Sequence, residues 1–153
     1  MVLWFLWGWR LLPLRLYGSR SMAFKLFLNF LLVGIGGALG SACRYGSGLL
    51  FAPAGGLIPW GTLLANLLGS LIIGFVVELA SLKAGMAPEW RLFLATGFCG
   101  GLTTLSSMVF EVDNLGRNRE FMFAMAYGLG TLIGAFLALW AGMLLCRLLL
   151  DRN

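Results

Sequence analysis

Uncharged apolar stretches run from Leu26 to Cys43, from Tyr45 to Val77, from Leu92 to Phe110 and from Phe121 to Cys146. The second is too long for one crossing. Pro53, Gly55, Gly56 and Pro59 divide it into the end of a first span, a loop, and a second span starting at about Trp60. A spanning helix takes about 20 mostly apolar residues, so the pattern predicts an all-α integral membrane protein of four transmembrane helices. Their short connections leave no room for a soluble domain. The opening MVLWFLWGWRLLPLRLYGSRS is apolar and aromatic but interrupted by Arg10, Pro13, Arg15 and Arg20. It lacks the basic start of a secretory signal and is too broken to span. Residues 1–21 are therefore read as an N-terminal extension, either an interfacial amphipathic segment or an upstream start with translation opening at Met22. The second reading is preferred, because Met22-Ala-Phe-Lys opens the first span in an ordinary way. Residues 22–153 form one four-helix domain.

Composition agrees with this and narrows the chemistry. The 153 residues are 60% hydrophobic and 11% charged, against about 25% charged in soluble domains, and the mean hydropathy is +0.92. The chain has no histidine, which removes histidine metal sites and histidine-dependent triads. Cys43, Cys99 and Cys146 are odd in number and widely spaced, so neither a disulfide framework nor a zinc site is indicated. The net charge of +5 does not indicate nucleic acid. Its cations sit one or two at a time at the ends of apolar runs, as Lys25, Arg44, Lys83, Arg91, Arg117, Arg119, Arg147 and Arg152 do. Counted from Met22, Lys25, Lys83, Arg91, Arg147 and Arg152 fall on one side of a four-span topology, and Arg44, Arg117 and Arg119 on the other. Five against three is a weak positive-inside bias. Such a chain can insert both ways, and oppositely oriented copies can pair as an antiparallel dimer.

Lipid gives helices no hydrophobic reason to associate, so small residues must let them approach. Gly36 and Gly40, Gly61, Ala65 and Gly69, and Gly130 and Gly134 supply that spacing, with packing as their main expected role. Polar groups at membrane depth are more informative. Thr62, Asn66 and Ser70 stand four residues apart on one helical stripe, and Tyr127 and Thr131 repeat the spacing in the fourth span. Asn66 offers two donors and one acceptor. Spacing alone leaves open whether it lines a wet path or only joins two helices. The third span contains Thr96-Gly-Phe-Cys-Gly-Gly-Leu-Thr-Thr-Leu-Ser-Ser-Met108, a poor uninterrupted helix. A broken helix is predicted near Gly100 to Thr104, where freed carbonyls can hold a cation. A phosphate loop is a weak rival, since no lysine follows the glycines.

At these residues the chain closely resembles the CrcB/Fluc family of fluoride channels. The resemblance rests on GGALGSACRY from Gly36, GTLLANLLGSLIIG from Gly61, GFCGGLTTLSSMVFE from Gly97 and YGLGTLIGA from Tyr127, and it covers about Met22 to Cys146. It implies a dual-topology antiparallel homodimer in the inner or plasma membrane of a bacterium. That dimer would carry two pathways for passive fluoride export and a structural sodium ion (Na+) at the subunit interface. Carried over by position, the sodium carbonyls fall on Gly100 and Thr103 and the pore asparagine on Asn66. The hydroxyl track falls on Thr62, Tyr127 and Thr131, with Ser106 as a further donor, and Arg44 and Glu111 fall near the pore entrances.

The chain departs from the family pattern where two phenylalanines normally face the anion, because those positions are Leu105 and Met108. A further hydroxyl position is Ala135. Three readings of the departure are open: a self-sufficient pore without the rings, one half of a heterodimer with a homologue, or a non-conducting subunit. The first is preferred. A proton-coupled multidrug transporter is the rival of another class, but it needs an ionisable residue at membrane depth. Glu78, Glu89, Glu111, Asp113, Glu120 and Asp151 are placed near span ends or in loops. No carboxylate pair or activated nucleophile in the spans points to an enzyme.

Overall fold

A computed structural model describes residues 20–52, 56–82 and 86–150. Residues 1–19, which carry most of the N-terminal extension and its start-site question, lie outside the described residues, as do Lys83, Asp151 and Arg152. The described residues are mostly helical and include no strand. Its elements are α1 (Arg20–Phe51), α2 (Trp60–Ser81), α3 (Pro88–Arg91), a π-helical segment (Leu92–Cys99), α4 (Gly100–Leu102), α5 (Leu105–Arg117) and α6 (Phe121–Leu150). Four stretches are long and apolar enough to cross a membrane: Met22–Phe51, Trp60–Ser81, Pro88–Arg117 and Phe121–Leu150.

These spans outrun the uncharged stretches that predict them. The first continues past Arg44 to Phe51, and the third starts at Pro88 and continues past Glu111 to Arg117. A charge does not end a helix. Breakers do, and Pro88 sits in the first helical turn, where its missing N–H costs nothing. Glu111, expected near a span end, therefore lies inside α5, and Arg44 lies inside α1.

The helices meet through glycines, at positions that only partly match the spacing argument. On the α1 side, a Cβ at Gly36 would overlap the Phe93 carbonyl, and one at Gly40 would overlap the Phe98 carbonyl. A Cβ at Gly101 would strike the Gly37 carbonyl in return. The α2–α6 contact is as tight, with Gly74 against the Leu139 carbonyl and Gly142 against the Leu71 carbonyl. Gly61 backs onto Gly48, and Gly69 makes room for the Thr103 methyl. Gly130, a predicted packing residue, faces open space, and Gly134 meets only the Leu67 side chain. Gly142 makes the close backbone contact with α2 instead.

Near one end of the same helix pair, Arg147 on α6 donates to both carboxylate oxygens of Glu78 on α2, at 2.8 and 3.1 Å. Glu78 is buried, and this two-pronged contact supplies the pairing that a carboxylate needs away from water.

The α5–α6 turn stores a small strain. The Glu120 N–H bonds to the Leu115 carbonyl and the Arg119 N–H to the Gly116 carbonyl, closing a Schellman turn. Its left-handed position is Arg119, with φ of 64°. Glycine takes that conformation without the Cβ penalty of about 1 kcal/mol, so Arg119→Gly should raise thermal stability by roughly that amount. An unchanged or lower melting temperature in detergent would count against the strain.

Candidate functional site

The site grows out of two residues that leave helical geometry inside the third span. Thr103 has φ −82° and ψ 150°, and Thr104 has φ −152° and ψ 118°. In a continuous helix each carbonyl accepts from the N–H four residues on. Two extended residues release the carbonyls of Gly100, Gly101, Leu102 and Thr103, and the N–H groups of Thr104 to Ser107. Such groups are costly at membrane depth unless they are satisfied.

The chain satisfies some of them with its own side chains. The Thr104 N–H donates to Asn66 Oδ1 at 2.7 Å, and Asn66 Nδ2 donates to the Thr104 carbonyl at 3.2 Å. The Asn66 amide thus pairs with the break as a neighbouring strand would. It is buried, and its second N–H has no partner among the described residues. Thr104 also caps α5, its Oγ1 accepting from the Ser107 N–H at 3.2 Å. A threonine ahead of an apolar helical run is the available sequence signal for such a cap. On the upstream side, Arg44 Nε donates to the Gly101 carbonyl at 3.1 Å, and Ser41 Oγ does so weakly at 3.4 Å. The carbonyls of Gly100, Leu102 and Thr103 and the N–H groups of Leu105 and Ser106 find no partner among the described residues.

A second polar group lies along α2, α5 and α6. Thr62 Oγ1 donates to one oxygen of Glu111 at 2.7 Å, and the Tyr127 hydroxyl donates to the other at 2.5 Å. Thr131 donates back to the Tyr127 carbonyl at 2.7 Å. These bonds link two cavities. One, of about 310 Å³, is lined by Gly48, Phe51, Trp60, Gly61, Thr62 and Glu111. The other, of about 230 Å³, is lined by Asn66, Ser70, Thr103, Thr104, Leu105, Met108 and Thr131 among others, including Ala135.

The sequence-derived candidates divide accordingly. Thr62, Glu111 and Tyr127 come together directly, and Asn66, Thr131, Leu105 and Met108 line one cavity. Met108 is buried with Leu115, Ala124 and Tyr127, whereas Leu105 is 65% exposed. Ser106 is exposed, its hydroxyl 3.3 Å from Thr104 Oγ1. Gly100 is exposed and Thr103 half-buried. Sequence reasoning missed the Thr104 cap, the Ser41 contact and the Glu78–Arg147 pair. It also missed that Glu111 is the acceptor for the track hydroxyls.

Comparison with known proteins assigns the family. Residues 31–143 match the family described as "CrcB-like protein, Camphor Resistance (CrcB)". The chain belongs to this family. It is therefore a multi-pass membrane protein, its four long apolar helices being the spans. A CrcB relative from Chlorobium phaeobacteroides, named fluoride-specific ion channel FluC, is 46% identical over 127 residues, covering 83% of this chain and 98% of the relative. Relatives of the same name include one from Rhizobium meliloti, 43% identical over 78% of this chain and 96% of its own. Another, from Thermus thermophilus, is 47% identical over 72% of this chain and 89% of its own.

Proposed function

We propose that this CrcB protein is a passive, fluoride-selective channel that lowers cytoplasmic fluoride, working as an antiparallel homodimer in the inner or plasma membrane of a bacterium. The observation that carries the reading is the match to relatives named fluoride-specific ion channels along nearly their whole length. Acid chemistry supplies the purpose. Neutral hydrogen fluoride crosses a membrane, ionises in a more alkaline cytoplasm and is trapped there as the anion. A passive pore lets the negative interior potential drive the anion out.

The dimer has a physical warrant. Extended backbone with unpaired carbonyls does not face lipid, yet Gly100 and Leu105 beside the break are exposed in a single chain. A second copy covering this face would bury them. The residues also fit the structural sodium. A hard cation takes oxygen ligands. The Gly100 and Thr103 carbonyls lack other partners, no atom stands within 4 Å of a Cβ position at Gly100, and two copies offer four such oxygens. Bound there, sodium would supply positive charge at the centre of the dimer.

Along each pathway the donors must replace the tightly held water of fluoride. The uncommitted Asn66 N–H is ready to do so, whereas the protons of Thr62 and Tyr127 are held by Glu111. Passage requires those hydroxyls to turn from the carboxylate to the ion. The exposed Leu105 and buried Met108, standing where the family places phenylalanines, favour one further reading, an obligate heterodimer whose other half brings the rings.

Reconstituted into vesicles, the purified chain begun at Met22 should release fluoride passively without matching chloride release, as read by a fluoride electrode. Silence from well-folded dimers would remove the self-sufficient channel. Recovery on adding a homologue would then establish the heterodimer.

A further inference from the structure

We infer that Arg44 is a positioning residue for the cation site: by holding the Gly101 carbonyl, it determines which carbonyls of the break stay free for the ion. The inference rests on the reading that Gly100 and Thr103 hold a cation. It differs from a role as a charge near a pore entrance.

The break releases four consecutive carbonyls, at Gly100, Gly101, Leu102 and Thr103, and they are not equivalent. Only Gly101 has partners among the described residues, Arg44 Nε at 3.1 Å and Ser41 Oγ at 3.4 Å. Both partners come from α1, one turn apart. The contact is held close by the backbone, since a Cβ on Gly101 would overlap the Gly37 carbonyl and one on Gly40 would overlap the Phe98 carbonyl. Arg44 is half-buried and makes no ion pair among the described residues. A guanidinium within a spanning helix ordinarily finds a carboxylate or water, and this one is bonded to a single released carbonyl. A donor at that oxygen removes it as a cation ligand and fixes the peptide plane next to the Gly100 carbonyl. Downstream, Asn66 fixes the Thr104 peptide in the same way. Gly100 stands just before the first clamp and the Thr103 carbonyl shares a peptide with the Thr104 N–H held by the second; both carbonyls, like that of Leu102, lack partners among the described residues.

Fixation and charge make opposite predictions. As a charge alone, the arginine repels a nearby cation, so a neutral substitute should strengthen cation binding and a lysine should change nothing. As a positioning group it works through the planar Nε–H fork, which lysine lacks.

The test is the thermal stability of the intact dimer in detergent across a sodium series, with N-methylglucamine holding ionic strength constant. The readout is the half-stabilising sodium concentration. Arg44→Lys and Arg44→Ala should both raise it by at least about tenfold, the scale of one lost charge-assisted hydrogen bond. Ser41→Ala should move it by less than about twofold, since a 3.4 Å contact is weak. If Arg44→Ala fails to assemble, Arg44→Lys decides alone. A lysine variant with the wild-type midpoint overturns the inference, as does an equal loss of stability at all sodium concentrations with no change in midpoint. A wild-type dimer whose stability ignores sodium overturns the cation reading itself, and this inference with it.

Discussion

Fluoride efflux through Asn66→Asp dimers is expected to fall at least about a hundredfold below wild type. A fixed carboxylate about 4 Å from a passing anion opposes it by about 4 kcal/mol at an effective dielectric of 20. At 1.36 kcal/mol per decade that approaches a thousandfold. The substitution also replaces the amide N–H groups with oxygen, so the spare donor that faces no protein partner is lost. One scaffold bond survives, because a carboxylate oxygen still accepts the Thr104 N–H that Asn66 Oδ1 accepts at 2.7 Å. The other does not, since Nδ2 donates to the Thr104 carbonyl. Efflux is therefore compared only among vesicles whose dimer content by crosslinking matches wild type. Assembled Asn66→Asp dimers conducting at the wild-type rate would place Asn66 outside the pathway and leave the Thr104 clamp as its whole role.

The double use of Asn66 marks how far the sequence reaches. The four spans are legible because long apolar runs and the breakers between them are local signals, and Trp60 and Phe121 are read as helix starts where the structure begins α2 and α6. The stripe of Thr62 and Asn66 is legible for the same reason, since four-residue spacing puts both on one face of a single helix. What a side chain bonds to on another helix is a different quantity, set by rotational phase and by pairs distant in sequence. Arg44 meets Gly101 and Arg147 meets Glu78 across 57 and 69 positions, and no local pattern encodes either pair. Glu111 shows the cost of a local rule. Read as a charge, it belongs near a span end; in the fold it sits inside α5, half-buried, with hydroxyls from α2 and α6 donating to its two oxygens. Gly130 meets nothing within one chain: a small-residue repeat shows that a helix can be approached closely, not which of its faces is approached or by which neighbour.

A large stability loss should come from one methyl group on α1. A Cβ at Gly40 would overlap the Phe98 carbonyl and crowd the Leu102 N–H. Both are backbone atoms of the third span, so no side chain can rotate away to make room. Gly40→Ala must push α1 from the third span, which opens the neighbouring Gly36–Gly97 and Gly37–Gly101 contacts and draws Arg44 off the Gly101 carbonyl. Overpacking in a rigid core costs about 1–3 kcal/mol, and here the lost contacts add to it, so Gly40→Ala should lose at least about 2 kcal/mol in detergent unfolding. Gly116→Ala is the matched control, because nothing lies within 4 Å of its Cβ position near the end of α5. In that helix alanine is favoured over glycine by about 1 kcal/mol, so the same chemical change should be neutral or stabilising there. The opposite signs separate backbone contact from a general intolerance of alanine. Fluoride efflux should follow the stability difference, lost in Gly40→Ala and kept in Gly116→Ala, since only the first displaces the carbonyls at the break. Equal melting temperatures for the two variants would show that α1 does not press on the third span, and would remove the geometric basis for the Arg44 clamp.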